Sequence, residues 1–371
     1  MIPILQLNTQ YETIGAELEA AVLKALRGTH YIMGPEVEAF EKEFAQWHGL
    51  AHSAGVANGT DALHLAVRAL GLGPEDEVIC PAFTFIATAG AIALAGAKPV
   101  FCDIEPTHFA MDPEDVKSRI TPRTRALVVV HLFGHPAPMD ELMAIAKEHN
   151  LAVIEDCAQA TGSEYQGKKV GTIGDYGCFS FFPSKNLGGI GDGGMVLANT
   201  REKLEKIKML RGHGSKVKYY HDCLGTNSRL DEIQAAALRV KLRYLDRWNE
   251  QRRRVAKRYQ ENLGVTIQLP AEAPGCKHVY HQFTTRVPQR DEFKKYLEQN
   301  GVGSMIYYPV SLHQQQAFAN LGYSDDDFPA TRKAQDEVLS LPMFPELTND
   351  QIDEISAAVK SFLKTLLATP A

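Results

Sequence analysis

Through the first two hundred residues, short apolar runs alternate with amphipathic stretches. DEVICPAF, AKPVFCDI, RALVVVHLF, NLAVIEDC and YGCFSFF are β-rich runs of strand length. They are largely apolar at successive positions rather than alternate ones, so both faces of each strand must be covered. ALHLAVRALGL and MDELMAIAKEH, lying between them, have the period of helices. Together they predict an α/β unit whose mostly parallel sheet is sandwiched by helices.

Beyond about residue 230 the texture changes. DEIQAAALRVKLRYLDRWNEQRRRVAKRYQENL reads as one long helical stretch, rich in Arg and Ala, bridging into a second unit. HVYHQFTTRV and GSMIYYPV read as strands, and RDEFKKYLEQNG and DQIDEISAAVKSFLKTLL as helices. We therefore expect a large α/β domain over 1–245 and a smaller C-terminal α+β domain over 246–371. A chain of 371 residues suits that division better than one compact core.

Composition narrows the function classes. Hydrophobic residues make up 44% and charged residues 23%, ordinary usage for a soluble globular protein. The net charge is −6 with no basic block, which argues against nucleic acid as a partner. No apolar run approaches the ~20 residues of a bilayer span, and the first residues lack the pattern of a signal peptide. Cys80, Cys102, Cys157, Cys178, Cys223 and Cys276 are scattered, with no pair at metal or redox spacing. Four of them lie in or beside apolar runs, where cysteine acts as a small buried hydrophobe. A cytoplasmic chain with reduced thiols, no metal and no membrane partner is expected.

In open α/β sheets ligands sit beyond the carboxyl ends of the strands, so the polar residues there are the candidates for chemistry. Asp156 ends NLAVIEDC, where a buried carboxylate calls for a cationic partner. A protonated pyridine nitrogen is one such partner; a helix N-cap or a structural ion pair would serve as well. Lys185, in FSFFPSKNLGGIGDGGM, follows a strand and precedes a glycine-dense turn. Desolvation there would lower its pKa, as a Schiff-base nucleophile requires, although an exposed Lys on a hairpin has the same local sequence. Asn58, Gly59 and Thr60 precede an amphipathic helix, gathering N–H groups and a hydroxyl at its positive end. That suits a phosphate, or an ordinary N-cap. Phe83 and Phe85 follow the DEVIC strand, placed to stack on a planar ligand or to pack into the core.

The order of these features, with GPEVEAFE, NGTDAL, PAFTFIAT, VFCDIEP, EDCAQA, FSFFPSKNLG, GDGG, NSRLDEIQAA and YYPVSLHQQ, closely resembles the DegT/DnrJ/EryC1/StrS family of sugar aminotransferases over nearly the whole chain. The resemblance implies a fold-type I pyridoxal-phosphate (PLP) transferase. It implies Lys185 as the covalent and proton-transferring residue and Asp156 on the pyridinium nitrogen. Gln159 would lie near the phenolic oxygen, Gly59, Thr60 and Ser180 on the phosphate, and Phe85 on the ring. Asn227 is implied to reach the phosphate in a neighbouring subunit, so a homodimer with shared sites is expected. His313 and Tyr308 fall in a segment that lines the substrate's way in among relatives. Lys at position 185, where a deoxygenating branch carries His, implies transamination from an amino acid, glutamate, to a keto sugar nucleotide. The YYPVSLHQQ segment inclines toward 3-keto over 4-keto sugars. Thr161 and Thr226 stand where His and an aromatic residue are common, departures that bear on substrate contacts. The alternatives are a fold-type I aminotransferase or lyase acting on a non-sugar ketone or amine, and a non-enzymatic regulator on the same scaffold.

Overall fold

Seven strands build the central sheet of the computed structural model, which describes residues 1–264 and 267–368. They are β1 (Ser53–Val56), β2 (Glu77–Pro81), β3 (Lys98–Cys102), β4 (Thr124–Val130), β5 (Ala152–Asp156), β6 (Tyr176–Ser180) and β7 (Gly194–Ala198). Their order is β1-β7-β6-β5-β4-β2-β3. All neighbours pair in parallel except around β7, which is antiparallel to both β1 and β6.

Both faces are buried, as the unbroken apolar runs require. Alternate residues serve opposite cores. Val78, Cys80, Val128 and Ile154 face helices α3 (Gly59–Ala69), α4 (Ala87–Leu94) and α7 (Arg201–Arg211). Ile79, Leu127, Val129 and Val153 face helices from 113–119 and 139–148, α5 and α6. Phe179, Met195 and Leu197 complete that second face against α2 (Pro35–Trp47) and α8 (Glu232–Leu242), with α1 (Asn8–Gly28) packed outside α8. The sheet thus has the sandwiched α/β architecture expected. The four cysteines of the apolar runs are buried within it.

A separate core gathers Val255, Tyr259, Phe283, Phe293, Leu341 and Ile355. It is built from α9 (Leu245–Leu263), α10 (Arg290–Gln299), α12 (Asn349–Ala368) and an antiparallel pair, β8 (Phe283–Arg286) and β9 (Val338–Leu341). Helix α11 (Pro329–Glu337) runs into β9. Ile2, at the opposite end of the chain, joins this core and bridges to Val302. The division expected at 245/246 falls at the first turn of α9. Among the described residues no helix is long and apolar enough to cross a membrane.

Three expectations need correction. The helical stretch after residue 230 is two helices, broken at Arg243–Tyr244. No Gly or Pro marks the break; α8 is buried almost all round, whereas α9 turns a stripe of Leu245, Trp248, Arg252, Val255 and Tyr259 inward. GSMIYYPV is not a strand and makes only the bridge Met305–Ser340, because Ile306, Tyr307 and Tyr308 pack against Phe83, Leu132 and Phe133 instead of joining a sheet. In HVYHQFTTRV only Phe283–Arg286 is strand.

Candidate active site

Three strand ends converge. After β1 the chain turns into α3, where the Asn58 side chain accepts from the Asp61 N–H at 2.8 Å. A first helical turn leaves its N–H groups without intrahelical partners. With Asp61 taken by the cap, those of Gly59 and Thr60 remain. Gly59 is required here: a Cβ would lie 2.6 Å from Cβ of Ser180, which ends β6. The same crowding joins β7 to this turn, since a Cβ on Gly194 would lie 2.4 Å from the Asn58 carbonyl.

Asp156 ends β5 and is 6% exposed. It accepts from Thr88 Oγ1 at 2.9 Å and from the Ala158 N–H at 3.1 Å, and makes no ion pair among the described residues. Burial pushes its carboxyl above the usual range, opposed by those two bonds and by the charge of Lys185.

Lys185 lies in the turn between β6 and β7. Its N–H donates to Phe182 O at 2.8 Å, and the Gly189 N–H to Phe181 O at 2.7 Å. Gly188 lies so close that a Cβ would be 2.2 Å from the Pro183 carbonyl, and its own carbonyl accepts from the buried Lys241 Nζ at 2.8 Å. The turn is therefore held from both sides. The Lys185 amine makes no hydrogen bond or ion pair among the described residues. Its protein surroundings bring its pKa down to about 8, with Asp156 pulling the other way.

These groups open on one cavity of about 400 Å³. Of the residues singled out in the sequence, Gly59, Thr60, Phe85, Asp156, Gln159, Ser180, Lys185 and Tyr308 line it. Gln159 is fixed at both ends, Oε1 accepting from the Phe133 N–H at 2.7 Å and Nε2 donating to Tyr308 OH at 2.8 Å. Phe85 stands 54% exposed at the rim, its ring 6.1 Å from that of Tyr308. Phe83 is fully buried beside Phe109. Besides Phe83, two candidates are absent from the wall. Asn227 is exposed and bridges to Gly212. His313 is buried in a short helix, its Nε2 3.0 Å from Asp325, its Nδ1 without a partner.

Sequence reasoning missed Thr88 and His281. Thr88 ends the PAFTFIAT motif as the second residue of α4, three after Phe85, and a polar residue at that spacing was the available signal. His281 lies in a run read as a strand, which concealed it.

Several features suit a phosphorylated, cationic aromatic cofactor. They are a buried carboxyl without a cation, unpaired N–H groups over a glycine that admits no Cβ, and a desolvated amine, all around one cavity. The comparisons agree. A "Pleiotropic regulatory protein" of Geobacillus stearothermophilus is 48% identical, over 98% of this chain and 99% of its own. A UDP-N-acetyl-3-dehydro-alpha-D-glucosamine 3-aminotransferase of Acidithiobacillus ferrooxidans is 47% identical, over 98% of each chain. Among solved structures, DesV of S. venezuelae in complex with a ketimine intermediate superposes with a TM-score of 0.96 at 43% identity, covering 98% of each chain. NtdA of Bacillus subtilis with bound cofactor PMP gives 0.90 at 30% identity, covering 98% of this chain and 86% of that one. The model of the DegT/DnrJ/EryC1/StrS aminotransferase family matches residues 12–360. The chain is a PLP-dependent transaminase and belongs to that family.

Proposed function

We propose that this transaminase moves an amino group from L-glutamate to a keto sugar carried on a nucleotide, at C3 of the sugar, in the cytoplasm. The observation that carries the reading is the unpaired, desolvated amine of Lys185 in the same cavity wall as the buried carboxyl of Asp156. The sugar assignment rests on relatives: the Acidithiobacillus protein is named for a 3-dehydro sugar nucleotide, and a relative named GDP-perosamine synthase stands lower, at 35% identity. A regulator without catalysis has no need of Lys185 or of the turn that holds it, and both are in place.

When bound, pyridoxal phosphate supplies an aldehyde for amine exchange and a ring that withdraws electrons. Gly59, Thr60 and Ser180 would hold its phosphate through helix-end N–H groups and hydroxyls. Asp156 would keep a proton on the ring nitrogen, and that charge is what its buried carboxylate lacks. Gln159, locked by Phe133 and Tyr308, would face the phenolic oxygen, and Phe85 would cover the ring. Lys185 would yield its place to the donor; its Nζ would take the proton from the donor's α-carbon and pass it on within that half of the cycle, and in the other half would deliver a proton to the sugar carbon. An amine of pKa about 8 can do both near neutrality. Asn227, exposed and outside this cavity, would reach the phosphate site of a second subunit in a homodimer. Tyr308 and His313 would border the sugar.

Borohydride reduction of the loaded protein, followed by peptide mass spectrometry, tests the covalent role. The cofactor should be fixed to Lys185, and Lys185→Ala should lose both this adduct and all turnover with glutamate and a UDP- or dTDP-3-keto sugar. Full turnover by Lys185→Ala would end the reading; amination of simple keto acids alone would remove the sugar.

A further inference from the structure

His281 lines the same cavity as Lys185, is 5% exposed, and has no part in the scheme above. Its protonation pattern follows from backbone carbonyls, which can only accept. Asn249 Nδ2 lies 3.1 Å from Thr161 O, so that atom is nitrogen and Asn249 Oδ1 faces the other way. Asn186 lies next to Lys185 in the chain. Its Nδ2 lies 3.1 Å from Val279 O and 2.8 Å from Asn249 Oδ1, so its Oδ1 is an acceptor as well. That oxygen is 3.1 Å from His281 Nδ1. Nδ1 must therefore carry the hydrogen, and in the neutral ring Nε2 carries a lone pair.

Charging the ring is disfavoured. It is buried, and Lys185, Arg252 and His278 face it, which holds its pKa well below the ordinary value. Arg252 is itself buried and donates to the carbonyls of Tyr280, His281 and Met343, fixing the backbone behind the ring. Nε2 takes no partner among the described residues, nor is it among the polar atoms sealed from solvent without one. An acceptor is thus held open in the wall of the cavity that Lys185 also lines, and the Lys185 amine has no partner of its own among the described residues.

We propose that His281 is a positioning residue for Lys185, its Nε2 accepting a hydrogen bond from Nζ during the steps in which that amine is detached from the cofactor. The inference rests on the reading of Lys185 as the covalent residue. The bond is not made in the position Lys185 occupies here, and forming it would require the four-carbon stem to rotate toward a residue of the same cavity wall. A detached lysine would otherwise sample the whole cavity, and holding it removes that freedom before proton transfer. Because the acceptor is fixed through Asn186 and Asn249, helix α9 sets where the amine comes to rest.

The test compares the protein loaded with pyridoxal phosphate, where Lys185 is engaged, with the protein loaded with pyridoxamine phosphate, where it is free. Imidazole ¹⁵N spectra, with His281 assigned through His281→Asn, should show Nδ1 protonated in both forms. The Nε2 signal should move toward the hydrogen-bonded position only in the pyridoxamine form. In Lys185→Ala loaded with either compound that movement should be absent. Protonation at Nε2, an Nε2 signal identical in both forms, or the same movement without Lys185 would overturn the proposal. Asn at 281 keeps a donor toward Asn186 and removes the second nitrogen. His281→Asn should therefore lower kcat on the order of tenfold with KM for the donor unchanged, and wild-type kcat would count against the idea. If His281→Asn fails to fold, His281→Gln supplies the assignment, and the wild-type and Lys185→Ala spectra still decide. Borohydride labelling at a residue other than Lys185 would instead defeat the parent reading.

Discussion

Glu155 and Asp156 are adjacent carboxylates at the end of one buried strand, and their surroundings give them opposite work. Successive side chains in a strand point to opposite faces. Glu155, fully buried, receives His131 Nε2 at 3.0 Å and the N–H groups of Gly171, Ile173 and Gly174 at 2.7, 2.8 and 2.7 Å. His131 is itself complete, its Nδ1 accepting from the Ala137 N–H at 3.0 Å. Asp156 receives two donors and opens on the cavity. Burial alone does not distinguish a structural carboxylate from a functional one; the number of donors already committed to it does. The same count bears on the cluster of His131, Glu155 and Cys157, whose ligand atoms lie within 4.8 Å of one another. Its His and Glu are occupied in holding the loop at 171–174.

The contrast can be broken at either carboxylate. The largest effect should come from Asp156→Asn, with kcat lower by about a hundred- to a thousandfold and the fold intact by circular dichroism; near-normal kinetics would deny the pairing with the ring. Glu155→Gln should do the reverse. It turns one oxygen into a donor facing donors, costing about 3 kcal/mol in urea unfolding, while the surviving folded fraction keeps its kcat per site. A fall in kcat without loss of stability would erase the distinction. Gly59→Ala, on the Asp156 side, forces its Cβ against Ser180 and should weaken cofactor binding about tenfold, the cost of modest overpacking. Fluorescence titration of the cofactor-free protein measures this.

The smallest effect is in pH. With its folded pKa raised, Asp156 binds protons more tightly in the folded than in the unfolded chain, so stability falls as pH rises from its ordinary value of 3.8 through the folded value. Cofactor-free Asp156→Asn should thus be more stable than wild type at pH 7, with the advantage narrowing toward pH 4. Thermal melts across that range would show it, and an advantage that grows on acidification would contradict the burial cause.

Sequence made one side of this contrast legible. NLAVIEDC announces a buried strand with a polar end, and PSKNLGG announces a Lys before a turn. The sandwiched sheet followed from unbroken apolar runs. Glu155 was indistinguishable from Asp156, because three of its four donors are backbone groups 16 to 19 residues away, and backbone N–H groups leave no trace in a sequence. The break between α8 and α9 was hidden for a related reason: no residue type enforces it, only the shift of the buried stripe between two cores. His281 was masked by an apolar-aromatic run that resembles a strand but is tied down by Arg252.

The three grips on the proposed cofactor follow β1, β6 and β5, and in the sheet β1 and β5 are three spacings apart, about 14 Å by ordinary strand geometry. The crowded glycines at 59 and 194 pack the ends of β1, β7 and β6 tightly against one another within that span. With the cofactor held as proposed, the strand spacing would act as a gauge of ligand length. Analogues stretched by a single methylene at the phosphate arm should be refused, while the open rim at Phe85 and Tyr308 stays free to be recut for a different sugar.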